Sequence, residues 1–193
     1  MIPRFFVDLR LNGVDDSGGL SIPVMANQAF RILHGAFRND PGEYALALPK
    51  CKPGKGSSVG DVLRVFASDE VKVTALLANI AGHHFIRDYC SISVIQQVPE
   101  DFSGPWVRFR RFRPSNKNAG RKTEEQTLRE KRMAFAAEKK LPYFLVSSHT
   151  NSHSFSLYVL VEEAEQEAME PAQPDSYGLC VSSRPFSLPA IPM

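Results

Sequence analysis

The chain has 193 residues, 43% hydrophobic and 23% charged, with a formal net charge of +2. That length suits one sizeable domain or two small ones, and the composition is that of a folded protein. No stretch approaches the roughly 20 apolar residues of a membrane span, and Cys51, Cys90 and Cys180 are too scattered for a disulfide framework or a zinc ribbon.

The first predicted element is a half-buried strand, in which Phe5, Val7, Leu9 and Leu11 alternate with Phe6, Asp8 and Arg10. Arg4, Asp8 and Arg10 also stand where a signal peptide needs an apolar run, so a soluble cytoplasmic protein is expected. Asn12-Gly13 and Ser17-Gly18-Gly19 break the chain. Ser21 is placed to N-cap a helix with Pro23 in its first turn, and Ile22, Ala26, Ala29, Leu33 and Phe37 form its apolar stripe. Strands are expected over Tyr44–Leu48 and Val62–Ala67, joined by the Gly/Lys/Ser loop Lys52–Gly60. Ser68 is expected to cap a second helix running through Ile80 and closed by Gly82. A strand around Ser91–Val98 completes a β-α-β-β-α-β order, which is ferredoxin-like and makes the fold class α+β.

Pro99 opens the second half, so the expected division is 1–98 and 99–193. Arg108–Arg113 reads as a short strand or extended arm, and Pro114-Ser115-Asn116 as a turn. Thr123 and Gln126 form a capping box for a helix to about Lys140. Leu141–Val146 and Phe155–Val161 read as paired strands joined by the polar loop Ser147–Ser154, and a last strand is expected near Tyr177–Val181.

Charge is distributed unevenly. Residues 108–140 hold twelve Lys or Arg against four acids, whereas 162–175 hold six acids and no base, which reads as a solvated loop. Within Trp106-Val107-Arg108-Phe109-Arg110-Arg111-Phe112-Arg113, guanidinium forks alternate with rings. Such a surface grips phosphates and stacks bases, unless it is an edge strand whose arginines face water. His34 falls at the edge of the first helix's apolar stripe, between Phe30 and the polar flank of Asn27, Arg31 and Arg38. Partial burial and neighbouring cations both favour the neutral imidazole that a general base requires, although a boundary histidine is more often structural. His83-His84 and the i,i+4 pair His149 and His153 lack a convincing ligand setting, so no metal or other cofactor is expected. Lys55-Gly56-Ser57-Ser58 lacks the Walker spacing.

Five stretches then carry a resemblance. They are Phe6-Val7-Asp8-Leu9-Arg10-Leu11, Ala29-Phe30-Arg31-Ile32-Leu33-His34, Val59-Gly60-Asp61-Val62-Leu63-Arg64-Val65, Leu141-Pro142-Tyr143-Phe144 leading to Ser148 and Phe155, and Tyr177-Gly178-Leu179. In this order the chain resembles the CRISPR repeat-processing endoribonuclease of subtype I-F, a family that binds the crRNA hairpin. The resemblance implies a ferredoxin-like N-terminal domain bearing the catalytic histidine and a C-terminal region that embraces an RNA stem. It implies His34 as the catalytic base, or as the acid for the leaving oxygen. It implies Ser148 as the group that holds the ribose, although Ser147 or Thr150 could donate that hydroxyl. Tyr177 would orient the site, Phe155 would stack on the last base pair, and Arg111 would read a guanine at the stem base. Arg113 stands where the family commonly has Gln. With Arg108, Arg110, Asn116, Lys117, Arg121, Lys122 and Thr150, it would contact RNA. The segment Ser115–Lys122 is shorter and less basic than the arginine-packed helix of the best-known members.

The implied reaction is metal-independent cleavage 3′ of the repeat stem-loop by the RNA's own 2′-OH. It leaves a 2′,3′-cyclic phosphate, with the enzyme retained on the hairpin. The implied partners are the crRNA 3′ handle and other effector-complex subunits, with target DNA met only through the complex and no membrane. The other reading is a non-catalytic subunit that caps the guide RNA's 3′ hairpin.

Overall fold

The computed structural model describes residues 1–13, 20–114, 124–147, 154–164 and 171–193, with the side chains of 124–127 and 147 set aside. The fold is α+β, with two antiparallel sheets and helices packed between and around them.

Strand β1 (Phe5–Leu11) is buried on both faces, not on one as the alternation suggests. The apolar face is the expected one. The other carries Phe6 and Asp8, and Asp8 is paired with the buried Arg64. Helix α1 (Ile22–Phe37) follows, with Pro23 in its first turn and Met25, Ala26, Ala29, Phe30, Leu33, Ala36 and Phe37 buried. Ser21 occupies the N-cap in extended geometry but makes no side-chain cap bond. Strands β2 (Ala45–Ala47) and β3 (Val62–Ala67) are buried throughout.

Helix α2 (Glu70–Ala81) is capped by Asp69, not Ser68. The Asp69 carboxylate accepts from the Lys72 amide at 2.8 Å and takes the Ser68 hydroxyl at 3.0 Å. A carboxylate beside a positive helix N-terminus outcompetes a hydroxyl for that role. Gly82 ends the helix in right-handed geometry, so its role there is not the left-handed cap.

Helix α3 (His84–Tyr89) was not anticipated. The expected strand at Ser91–Val98 is divided into β4 (Cys90–Ile92) and β5 (Gln96–Gln97), both paired with β1. Between them Ser93 takes over the pairing, its hydroxyl accepting from the Asp8 amide at 3.0 Å. The sheet order is β2-β3-β1-β4, all antiparallel.

The second sheet runs β7-β8-β6-β9. It contains β6 (Trp106–Phe112), β7 (Tyr143–Ser147), β8 (Ser154–Ala164) and β9 (Leu188–Pro189), while helix α4 (Glu124–Glu138) connects β6 to β7. The arginine-rich segment is therefore an interior strand, flanked by β8 and β9, and not an edge. Strand β8 continues into the acidic run, so Glu162 and Glu163 belong to a strand and not to a solvated loop. Residues 177–181 do not form the expected strand. They make a turn at Ser176–Gly178 and a single parallel bridge from Cys180 to Arg110.

Helix α1 contacts α2, α3 and β1 in the first half and β7 in the second. Phe30 of α1 stacks on Phe144 of β7 with centroids 3.9 Å apart and planes 4° from parallel. The Leu145 amide donates to the Asn27 side-chain carbonyl at 2.8 Å. Buried residues from both sheets form one continuous core. Among the described residues no helix is long and apolar enough to cross a membrane.

Candidate active site

The junction of α1, β6 and the turn before Cys180 gathers the chemistry. His34 lies in the last turn of α1, half-buried beside the fully buried Leu33. Its Nδ1 is 2.6 Å from the backbone carbonyl of Ser176. A carbonyl can only accept, so Nδ1 carries the proton and donates. In the neutral ring Nε2 is then the unprotonated nitrogen, the one able to take a proton.

The pKa of His34 lies below the usual histidine value. Burial is the main cause. The Ser176 carbonyl opposes it, Arg38 lowers the value further, Asp175 raises it and Arg111 lowers it. The sum favours a neutral base.

The imidazole lies against Tyr177, with ring centroids 4.0 Å apart and planes 14° from parallel. Phe30 stacks on Tyr177 at 5.7 Å, so an aromatic column runs from His34 through Tyr177 and Phe30 to Phe144. The Arg111 guanidinium lies 4.5 Å from the Tyr177 centroid, within cation–π range.

Asp175 ties these parts together. One carboxylate oxygen accepts from Arg111 Nη1 at 3.0 Å. The other accepts from the Tyr177 amide at 2.9 Å and the Leu179 amide at 3.1 Å. The Gly178 amide donates to the Asp175 carbonyl, and the Gly178 carbonyl accepts from the Leu46 amide of β2 at 2.7 Å. Gly178 has φ +75, and a Cβ there would sit 2.8 Å from Phe37 Cε2 and 3.0 Å from the Leu46 nitrogen. Only glycine satisfies both constraints. Beyond it, Cys180 pairs with the backbone of Phe109 and Arg111. Tyr177-Gly178-Leu179 is thus a clamp that fastens the turn to α1, β2 and β6.

Sequence reasoning placed Asp175 in the acidic run and missed this role. A signal was present, because an Asp three residues before a Gly is a common start for a side-chain-capped turn.

The remaining residues divide by face. Phe109 is the one buried residue of β6. Arg111, Arg113 and Phe155 line a neighbouring cleft of about 290 Å³ with Arg129 and Tyr158. Arg110 is held by Glu162 in a two-pronged pair at 2.9 and 2.6 Å and also donates to the Ser182 hydroxyl. Arg108 Nε is buried without a hydrogen-bond partner among the described residues. Ser148, Thr150, Asn116, Lys117, Arg121 and Lys122 lie outside the described residues, as do His149 and His153. His83 accepts from the Phe85 amide as the cap of α3. Cys51, Cys90 and Cys180 are free thiols, pushed by burial to about 12, 11 and 11. None of them is a ready nucleophile.

A family model described as CRISPR-associated protein (Cas_Csy4) matches residues 8–192, nearly the whole chain. The chain belongs to the Csy4 family of CRISPR-associated proteins. No curated protein matches it. Csy4-type proteins process CRISPR repeat RNA, and membership assigns that role to this chain. The histidine and tyrosine that the resemblance singled out lie in direct contact within the matched span.

Proposed function

We propose that the chain is a metal-independent endoribonuclease that cuts CRISPR repeat RNA 3′ of its stem-loop and remains on the hairpin. The observation that carries this reading is the 2.6 Å contact between His34 Nδ1 and the Ser176 carbonyl. With Nδ1–H held by the Ser176 carbonyl, Nε2 is available to accept the 2′-OH proton. The O2′ then attacks the adjacent phosphorus, the P–O5′ bond breaks, and O5′ takes a proton. The products are a 2′,3′-cyclic phosphate and a 5′-OH. The nucleophile belongs to the substrate, so this chemistry needs no metal to generate one. Proton transfer by a positioned base contributes about 10²–10⁴-fold.

Ser148 would hold the ribose in line for attack, and Tyr177 would hold the imidazole plane. Phe155 would stack on the last base pair, Arg111 would read the guanine below it, and Arg113 would anchor phosphate from the same cleft. The basic segment containing Asn116, Lys117, Arg121 and Lys122, together with Thr150 and Arg108, would extend the RNA contact. Arg110 reaches a phosphate only by exchanging Glu162 for it. The strand order β2-β3-β1-β4 supports a ferredoxin-like first half (1–98), with the hairpin-binding region in 99–193. The retained hairpin would be the 3′ handle through which the chain joins an antiviral effector complex.

The test is cleavage of the cognate repeat in EDTA. Wild type should cut and His34→Ala should not. Cleavage by the variant, or loss of wild-type cleavage in EDTA, defeats the mechanism. Tight hairpin binding without cleavage by wild type would make the chain a cap instead of an enzyme.

A further inference from the structure

The Asp175 side chain holds both the turn that carries the Ser176 carbonyl and Arg111 of β6. The Ser176 carbonyl that fixes His34 is bracketed by Asp175 on one side and Tyr177 on the other. The Tyr177 amide and the Leu179 amide both end on Asp175 Oδ1. Oδ2 holds Arg111, whose guanidinium also lies against Tyr177. The Asp175 side chain is only 10% exposed and that of Arg111 only 18%. In so sheltered a setting, the orientation of the turn follows the carboxylate and its charge reaches the ring little screened.

We infer that Asp175 is a positioning residue for His34. It aims the Ser176 carbonyl at Nδ1, so fixing the tautomer, and it couples the ring to Arg111 on β6. The inference rests on the endoribonuclease reading. Asp175 touches neither the imidazole nor the reacting atoms and is not itself a catalytic residue. The charged groups that act on His34 are Arg38 at the end of its own helix, Asp175 in the turn and Arg111 on β6. Asp175 and Arg111, which are paired with each other, push the ring in opposite directions. Asp175 favours the protonated ring and Arg111 disfavours it.

Two variants separate positioning from mere support of the fold. Asp175→Asn keeps an oxygen for the turn amides but removes the charge, whereas Asp175→Ala removes both. The first readout is an NMR titration of His34 in the full chain without RNA. The His34 midpoint should move down in Asp175→Asn and up in Arg111→Ala. In Asp175→Ala the imidazole ¹⁵N shifts should change from a single Nδ1–H form to a mixture of tautomers. The second readout is single-turnover cleavage of the repeat hairpin. Its rate should fall on the order of 10²-fold in Asp175→Ala, the scale of a small misplacement of a catalytic group. Its acidic limb should shift to lower pH in Asp175→Asn.

An unmoved midpoint with a single tautomer in both Asp175 variants overturns the inference. If His34→Ala still cleaves, the reading of His34 as the base falls, while the NMR readouts continue to judge Asp175. If His34→Ala is inactive and both Asp175 variants cleave as wild type, only the role of Asp175 falls.

Discussion

At His34, two opposing demands meet. A general base must be neutral at working pH, yet its ring must be held still. Burial and the Arg38 charge supply neutrality, and the Ser176 carbonyl supplies the hold. The pH dependence follows with a definite sign. The folded ring titrates below 6.5, so His34-dependent cleavage should be flat at neutral pH, with an acidic limb below 6.5. A limb centred above 6.5 would contradict the burial seen around the ring. Stability obeys the same linkage. As pH falls below 6.5 the unfolded chain binds a proton that the folded ring resists, so this site's contribution favours unfolding. Arg111 offers a second test. A bidentate guanine reader replaced by alanine should lose about 1–3 kcal/mol of hairpin affinity and discriminate less at that guanine. An equal loss across all bases would reduce Arg111 to a phosphate contact or to a support for Tyr177. The half-burial of His34 was legible from its place on the helix stripe, because 3.6-residue periodicity puts a boundary position half in the core. The tie of Asp175 to Arg111 was not, because that partner is 64 residues away.

Elements were legible where one local pattern decided them. Helix α1 lies where periodicity put it, because its buried face repeats with the helix geometry, and strand β3 lies where a short, mostly apolar run put it. The errors fell where a side chain replaced a backbone partner. Ser93 interrupts the strand that was expected whole, and Asp69 takes the cap assigned to Ser68. The turn at Gly178 is the sharpest such element. Gly178→Ala forces a left-handed φ on a residue with a Cβ, at about 1–2 kcal/mol, before the contact with Phe37 is counted. Urea denaturation should show at least that loss, and cleavage should slow because Tyr177 and the Ser176 carbonyl move with the turn. Stability equal to wild type would mean that the turn does not need its positive φ.

Across the molecule, a buried ion pair and an aromatic stack join distant parts of the chain. Arg64 forks onto Asp8 at 2.7 and 2.8 Å and donates to the Ile191 carbonyl, which pins the C-terminal segment across the first sheet. Asp8→Ala strands that guanidinium and should cost about 3–5 kcal/mol, whereas Asp8→Leu with Arg64→Met should recover most of the loss. Equal stability of the single and double variants would deny the pair any role. Phe30 and Phe144 join helix α1 to the second sheet, so Phe144→Ala should cost about 3–5 kcal/mol within one cooperative transition. Separate transitions for the two halves would contradict the shared core.

The sequence by itself determined the family and the half-buried place of His34 on its helix. Each is a property of residue order or short-range periodicity. Only the tertiary structure decided that β6 is an interior strand, that Glu162 holds Arg110, and that Asp175 joins Arg111 to the turn beside His34. Those outcomes depend on which distant segments pack together. Burial then makes each contact matter, because a sheltered charge or amide must find its partner inside the fold.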